Sequence, residues 1–255
     1  MGNISSKKIM KKILITGYKG MIGSRLYSYL QSFNEYVVKG LDIIDNTGDI
    51  RLLRTFEEFD IIIHCAALTS VTESIIHPNE YYETNVLGTF NVLANYPTSK
   101  IIFMSTSAVY GEGLNHAETD KLQPQVPYAQ NKVDAEFYIQ ALSKNWLILR
   151  LANIYGGKKG ERNVYQVFEE EDILPIYGDG SSLRDYLHVD ELVKIIHKGF
   201  DKNGIYNIGS GTTKTVLEIT KEFKKPLKFL PAREGEIKYI SLDISKAQNE
   251  GLICI

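Results

Sequence analysis

The chain has 255 residues, 44% of them apolar and 24% charged, the balance of an ordinary globular protein. Its 29 Lys and Arg stand against 31 Asp and Glu, so a net charge of -2 offers nothing to recruit nucleic acid or an anionic membrane. No apolar run nears the roughly 20 residues that cross a bilayer, and two distant cysteines, Cys65 and Cys254, suit a reducing, cytoplasmic setting better than a disulfide scaffold. This length permits one large domain or a main domain with a small companion. Met1-Gly2 with Ser6 fits an acylation pattern with a basic flank (Lys7, Lys8, Lys11, Lys12). The plainer reading makes residues 1–10 a loose extension before a first strand.

Ile13 to Thr16 is a short β-branched run ending in glycine, the pattern of a buried strand. A helix is expected from Met21 to about Phe33, then strands at Tyr36 to Leu41, Asp60 to His64 and Ile101 to Ser105. A long helix over about Asn79 to Tyr96 separates the last two. Pro127 to Ser143 reads as a helix with proline in its first turn, and Trp146 to Leu151 as a further strand. Strands alternating with helices imply βαβ units, a parallel sheet and right-handed crossovers. The expected class is α/β, a Rossmann-type doubly wound sheet over residues 11–153. Beyond Asn153 the rhythm becomes irregular, with short strands at Pro175 to Tyr177, Tyr206 to Ile208 and Lys238 to Leu242. Helices are expected near Asp190 to Phe200 and Val216 to Phe223. Residues 154–255 read as a smaller substrate lobe packed on the sheet with some crossing of the chain.

Gly17-Tyr18-Lys19-Gly20-Met21-Ile22-Gly23 joins the first strand to the first helix. Gly17 suits the tight turn, Gly20 lets backbone approach a pyrophosphate, and Gly23 lets helix and strand pack closely. The helix start at Met21 and Ile22 offers unpaired N–H groups to the anion. Asp42, at the end of the second strand, falls where a carboxylate binds the ribose hydroxyls and repels a 2′-phosphate. No arginine follows it, so NAD is favoured over NADP. Outside this context Asp42 would read as an ordinary surface aspartate.

Tyr128 and Lys132 lie four residues apart, on one helical face. An ammonium there is expected to lower the phenol pKa toward working pH, so that the phenolate can take a proton from a substrate hydroxyl. By itself such a pair reads as a solvated helix face. The run Ser105-Thr106-Ser107 raises its weight, because it follows a strand at the carboxyl edge where ligands bind in such sheets. One of these hydroxyls can share the substrate oxygen with Tyr128.

With T-G-Y-K-G-M-I-G, H-C-A-A (His64 to Ala67), N-V-L-G-T (Asn85 to Thr89), S-T-S-A-V-Y-G (Ser105 to Gly111) and Y-A-Q-N-K in this order, the chain resembles the extended short-chain dehydrogenase/reductases. The likeness is to their NAD-dependent nucleotide-sugar epimerase/dehydratase group, of UDP-galactose 4-epimerase type, and runs from about Lys12 to Ala247. The resemblance implies that Thr106 holds the catalytic Ser/Thr position beside Tyr128 and Lys132. It implies that Asp49 and Ile50 contact adenine, and that Ala66, Ala67 and Asn85 line the cofactor. It also implies that Asn153 holds the substrate diphosphate, that Arg184 and Arg233 bind the nucleoside diphosphate, and that Ser107 lies beside the sugar. Two phosphates suit planar, permanently charged donors, although Arg184 and Arg233 would otherwise read as surface ion pairs with Asp185 and Glu234.

Similar 4,6-dehydratases carry an acidic pair after this threonine, and similar decarboxylases a nearby glutamate. Ser107 and Ala108 stand here instead. The expected reaction is therefore C4 epimerisation of a nucleotide-diphosphate sugar through a transient 4-keto intermediate. The alternatives are a 4-keto-sugar reductase and, behind it, a dehydratase or a non-catalytic NAD-binding protein. The resemblance also implies a homodimer paired through the helices over Asn79 to Tyr96 and Pro127 to Ser143. Members of the group are usually longer, and the shortage here falls between Gly156 and Ile176 and after Gly251, which implies a trimmed, open substrate pocket. The histidines show no metal spacing; His64 reads as a packed strand-end residue, and His188 as a support for Arg184.

Overall fold

The computed structural model describes residues 10–54, 57–157 and 163–254. The expected extension and its acylation pattern, Met10 apart, lie outside them. In chain order the elements are β1 (Lys11–Thr16), α1 (Met21–Gln31), β2 (Tyr36–Leu41), β3 (Ile61–His64), α2 (Val71–Ile76) and α3 (Pro78–Tyr82). A π-helical turn (Glu83–Leu87) leads into α4 (Gly88–Asn95), β4 (Lys100–Thr106), a 3-10 turn (Ser107–Tyr110), β5 (Gly113–His116), α5 (Pro127–Leu142) and β6 (Trp146–Leu151). There follow β7 (Asn153–Tyr155), α6 (Val164–Glu170), β8 (Leu174–Tyr177), β9 (Leu183–His188), α7 (Val189–Lys198) and β10 (Gly204–Ile208). The chain closes with β11 (Thr213–Thr215), α8 (Val216–Phe223), β12 (Leu227–Leu230), β13 (Ile240–Leu242) and α9 (Ser245–Asn249).

Six of the described strands form one parallel sheet in the order β10-β6-β4-β3-β1-β2. Side-chain alternation splits its apolar residues between two layers. Ile13, Ile15, Ile61, Ile63, Ile102, Met104, Leu147 and Leu149 face α1 and α7, packing on Leu26, Leu30, Leu192 and Ile196. Leu14, Ile62, Ile101, Phe103 and Ile148 face the other way, onto Val92, Leu93, Ala135 and Ile139 of α4 and α5. Helices cover both faces, which is why the strands read as continuous apolar runs. The chain leaves β1 for β2 on one side and returns as β3 on the other. That order reverses between β1 and β3, and ligands bind at the carboxyl ends of such a switch point.

Beyond residue 153 the chain crosses back into the main sheet. β10 is the edge strand of the main sheet, in register with β6 (Asn207 opposite Arg150), and α7 packs on α1. Tyr206-Asn207-Ile208 is too short and uniform for its sequence to say which sheet takes it. Burial of its apolar run against β6 decides the matter. The expected long helix is α3, the π turn and α4 in succession, and α2 precedes it unforeseen. The remaining strands make a three-stranded sheet β11-β9-β7 and the pairs β12-β8 and β13-β5. β7, β8 and β9 contribute to a small core of Tyr165, Phe168, Leu174, Ile176 and Ile219, whereas Leu242 of β13 joins the main core. Local chemistry sets the helix starts in this lobe: Thr215 and Glu218 close a capping box on α8.

Candidate active site

At the end of β1 the chain turns at Gly17 (φ +68°), where a Cβ would lie 2.6 Å from the Ala66 nitrogen. Six residues on, a Cβ on Gly23 would lie 2.2 Å from the Gly17 carbonyl oxygen. Both positions therefore exclude any side chain while the loop keeps this path. Gly20 caps α1 through its backbone and contributes no side chain, and the first turn of α1 carries no acidic residue. The amides at Met21, Ile22 and Gly23 thus face the loop with the positive end of an 11-residue helix behind them. Asp42 is buried just beyond β2, accepting from the amides of Lys19 (2.9 Å) and Ile44 (3.0 Å). It holds the glycine loop against the β2 turn and has lone pairs left for a diol. The Tyr18 ring lies over Gly40, and its hydroxyl donates to Asp45, which Lys19 also approaches at 3.3 Å.

Beneath the loop, His64 bridges Thr16 (Nδ1 to Oγ1, 2.7 Å) and Thr89 (Nε2 to Oγ1, 3.0 Å). Thr89 donates its one proton to the Asn85 carbonyl (2.7 Å), so Nε2 carries the ring proton and Nδ1 accepts from Thr16. Burial holds His64 neutral, its pKa pulled down to about 3. It is a packing residue bonded to side chains. Asn85 closes the next loop, its amide exchanging two 2.8 Å bonds with the Leu68 backbone. This positions the Ala66 and Ala67 segment, so Asn85 acts through that loop. Asp49 is paired with Arg51 (2.7 Å), which keeps its carboxyl below the ordinary range, while Ile50 is buried under Gly88.

Thr106 ends β4, its Oγ1 accepting from the Ala108 amide (3.2 Å), and it lies near enough to the Tyr128 phenol to pull its pKa down. Ser107 is buried at the start of the 3-10 turn. Tyr128 sits in the first turn of α5 behind Pro127, which starts the helix with its φ already set. Lys132, one turn later, is almost wholly buried, donates to the Met104 carbonyl (2.9 Å) and lies 4.6 Å over the Phe103 ring. The expected lowering of the phenol does not occur. Burial pushes Tyr128 up to about 12, Thr106 pulling only part of the way back. The ammonium is spent on a carbonyl and a ring, and burial draws Lys132 itself down to about 8.

In the smaller lobe the expected phosphate ligands are spread out. Asn153 is exposed on β7. Arg184 folds onto the backbone carbonyls of Leu183, Ile237 and Lys238, with Glu236 at 3.9 Å. Asp185 turns away to cap Ser210 and Gly211, and His188 caps α7 instead of supporting Arg184. Arg233 stacks 3.6 Å over the Tyr177 ring. Tyr177 escaped the sequence reading, as did Glu136. The signal for Glu136 was its place one turn beyond Lys132.

Parallel sheet, switch point and glycine loop define a dinucleotide-binding oxidoreductase scaffold, and the Thr-Tyr-Lys group at its carboxyl edge is that of a short-chain dehydrogenase/reductase. Residues 13–209 match the model of the NAD dependent epimerase/dehydratase family, and the chain belongs to that family. It is 29% identical to UDP-glucose 4-epimerase of Pisum sativum, covering 94% of this chain and 90% of that one. With UDP-glucose 4-epimerase of Halalkalibacterium halodurans the identity is 30%, over 92% and 88%. Among solved structures it resembles UDP-glucose 4-epimerase of Thermus thermophilus in complex with NAD (TM-score 0.85, 26% identity, 95% and 93% of the two chains). The pea alignment runs over 314 positions while using 94% of 255 residues, so the relative has segments that this chain lacks.

Proposed function

We propose that the protein is an NAD-dependent nucleotide-sugar 4-epimerase working through a transient 4-keto sugar. The observation that carries this reading is the meeting of Thr106 with the Tyr128–Lys132 face of α5 at the carboxyl end of β4, next to the switch point. NAD suits the residues present: Gly17 and Gly23 leave a cradle that a Cβ would fill, no acid opposes a pyrophosphate at α1, and Asp42 stands where a ribose diol needs an acceptor. When bound, NAD supplies hydride acceptance and return, and its cationic ring favours the phenolate. The Tyr128 oxygen takes the proton of the C4 hydroxyl, Thr106 shares that oxygen and orients it, and Lys132 provides positive charge behind both. Asp49, Ile50, Ala66, Ala67 and Asn85 shape the adenine and nicotinamide sides, several of them through backbone. Ser107, Asn153, Arg184 and Arg233 take the sugar and its diphosphate, which requires Arg184 to exchange backbone carbonyls for phosphate oxygens.

Support for the substrate class comes from relatives, among them UDP-N-acetylglucosamine 4-epimerase of Methanobrevibacter ruminantium in complex with UDP-N-acetylmuramic acid (TM-score 0.84, 27% identity). Ser107 and Ala108 offer no acid to expel a C6 hydroxyl, which favours epimerisation over dehydration. The working unit is a cytoplasmic homodimer. Tyr82, Leu87, Phe90, Phe137 and Leu142, exposed along α3 to α5, support the pairing, and the two free thiols support the compartment. The test is a panel of UDP-, dTDP-, GDP- and CDP-sugars followed by NMR, with absorbance at 340 nm recorded alongside. Interconversion of C4 epimers without net NADH change is expected; stoichiometric NADH consumption would make the protein a reductase. Tyr128→Phe should lose about 10²- to 10⁴-fold in turnover and keep NAD.

A further inference from the structure

Beneath the Thr106–Tyr128–Lys132 group lies a polar network that neither the glycine loop nor the Tyr-Lys pair accounts for. Tyr128, Lys132 and Glu136 follow one another at four-residue intervals, so they form a single stripe along α5. Each meets a different residue at the end of β4. Tyr128 lies beside Thr106, Lys132 donates to the Met104 carbonyl at 2.9 Å, and the Ser105 hydroxyl donates to Glu136 at 2.5 Å. Glu136 is 1% exposed, and Arg150 of β6 grips its carboxylate with Nη2 at 2.7 Å and Nε at 3.1 Å. The remaining Arg150 donors reach the Tyr110 hydroxyl (2.9 Å) and the Glu118 carbonyl (3.1 Å). Tyr110 in turn donates to Asn207 of β10 (2.7 Å), whose amide donates to the carbonyls of His116 and Asp243. A buried ion pair gives little net stability against an apolar pair of equal volume. Its worth here lies in what it positions.

We propose that Glu136 is a positioning residue of the reaction centre: held by Arg150, it clamps the end of β4 that carries Thr106 and supplies the counter-charge for Lys132. The proposal rests on the epimerase reading of Tyr128 and Lys132. Facing Lys132 are His64 and Cys65 from the end of β3, Phe103 and the Met104 carbonyl of β4, and Tyr128 and Glu136 on its own helix, with Arg150 behind Glu136. Burial keeps His64 deprotonated and pushes the Cys65 thiol and the Tyr128 phenol up to about 12, so all three are neutral at pH 7. Cys65 and then Glu136 oppose the pull of burial on the Lys132 ammonium, and of the two Glu136, one turn of α5 away, is the one that Arg150 holds as a carboxylate.

The test is Glu136→Gln in the NAD-loaded protein, which keeps the shape and one acceptor oxygen, turns the other oxygen into a donor and removes the charge. Two readouts are needed: the kcat–pH profile of epimerisation, and the Lys132 titration followed by NMR of labelled lysine. The expected result is a downward move of about one pH unit in both the alkaline limb and the lysine titration. At neutral pH kcat falls about tenfold or more while KM stays within about twofold, the mark of lost alignment. Ser105→Ala, which cuts only the strand tether, should lower kcat without moving the pH limb; wild-type kcat in that variant overturns the clamp. A folded Glu136→Gln protein whose Lys132 titrates as in wild type overturns the counter-charge. Should that variant fail to fold, the same comparison in Glu136→Gln/Arg150→Met, which leaves no orphaned charge, decides. A wild-type protein that epimerises nothing would sink the functional reading, whereas the lysine titration still judges Glu136 without turnover.

Discussion

Lowering the pH tests the packing beneath the phosphate loop, because His64 is neutral in the folded protein and Thr16 already donates to its Nδ1. Protonation would set two donors against each other and place a cation between β1, β3 and α4. The folded pKa of about 3 lies below the ordinary 6.5, so the unfolded chain takes the proton first. Stability from this group is thus complete above about pH 7 and drains away as pH falls from 6.5 toward 3. At 1.36 kcal/mol per unit, a fall to pH 5 costs about 2 kcal/mol. That is a large share of a typical margin of about 5–15 kcal/mol. The assay is urea unfolding of wild type and His64→Asn at several pH values between about 7.5 and 5. Asn cannot titrate there, so the variant should lose this part of the slope whatever its absolute stability. Parallel pH slopes in the two proteins would refute the reasoning.

Three further outcomes follow from other parts of the molecule. Gly23→Ala forces a methyl to within 2.2 Å of the Gly17 carbonyl, so the loop must shift; we expect a loss of about 3 kcal/mol or more in thermal unfolding, and weakened NAD binding by calorimetry. His197 sits among Tyr29, Phe33, Tyr36 and Phe200 and accepts or donates at Tyr36 (2.8 Å). Burial lowers its pKa, so His197→Gln should also flatten the acid slope of stability, by less than His64→Asn because the group is more exposed. Phe137→Glu, on the exposed face of α5, should change monomer stability by no more than about 0.5 kcal/mol while abolishing the proposed dimer in light scattering. A dimer that persists moves the interface elsewhere.

Much of this was readable in the chain because the cofactor half is written locally. The β-branched runs at Ile13 to Thr16 and Ile61 to His64 can be buried on both faces only in a parallel sheet, and G-Y-K-G-M-I-G between strand and helix leaves few other uses. Tyr128 and Lys132 declare their shared face by spacing alone. What the spacing misjudged is electrostatic: four residues bring the two side chains to one face, yet burial and the Met104 carbonyl decide their protonation, and both come from β4.

The amino-acid sequence by itself therefore determined the class of fold and the glycine loop, and it nominated Thr106, Tyr128 and Lys132 as the candidate reacting side chains, since each depends on residues within one turn or one strand–helix unit. Only the tertiary structure decided that β10 completes the main sheet, that Arg184 spends its donors on backbone carbonyls, and that Glu136 and Arg150 meet beneath Lys132. Those facts join residues far apart in the chain: Glu136 and Arg150 by 14 positions, Arg184 and Lys238 by 54, and Asn207 and Arg150 by 207 − 150 = 57. Pairing at that range is settled by which buried groups find partners, and short-range periodicity carries no record of it.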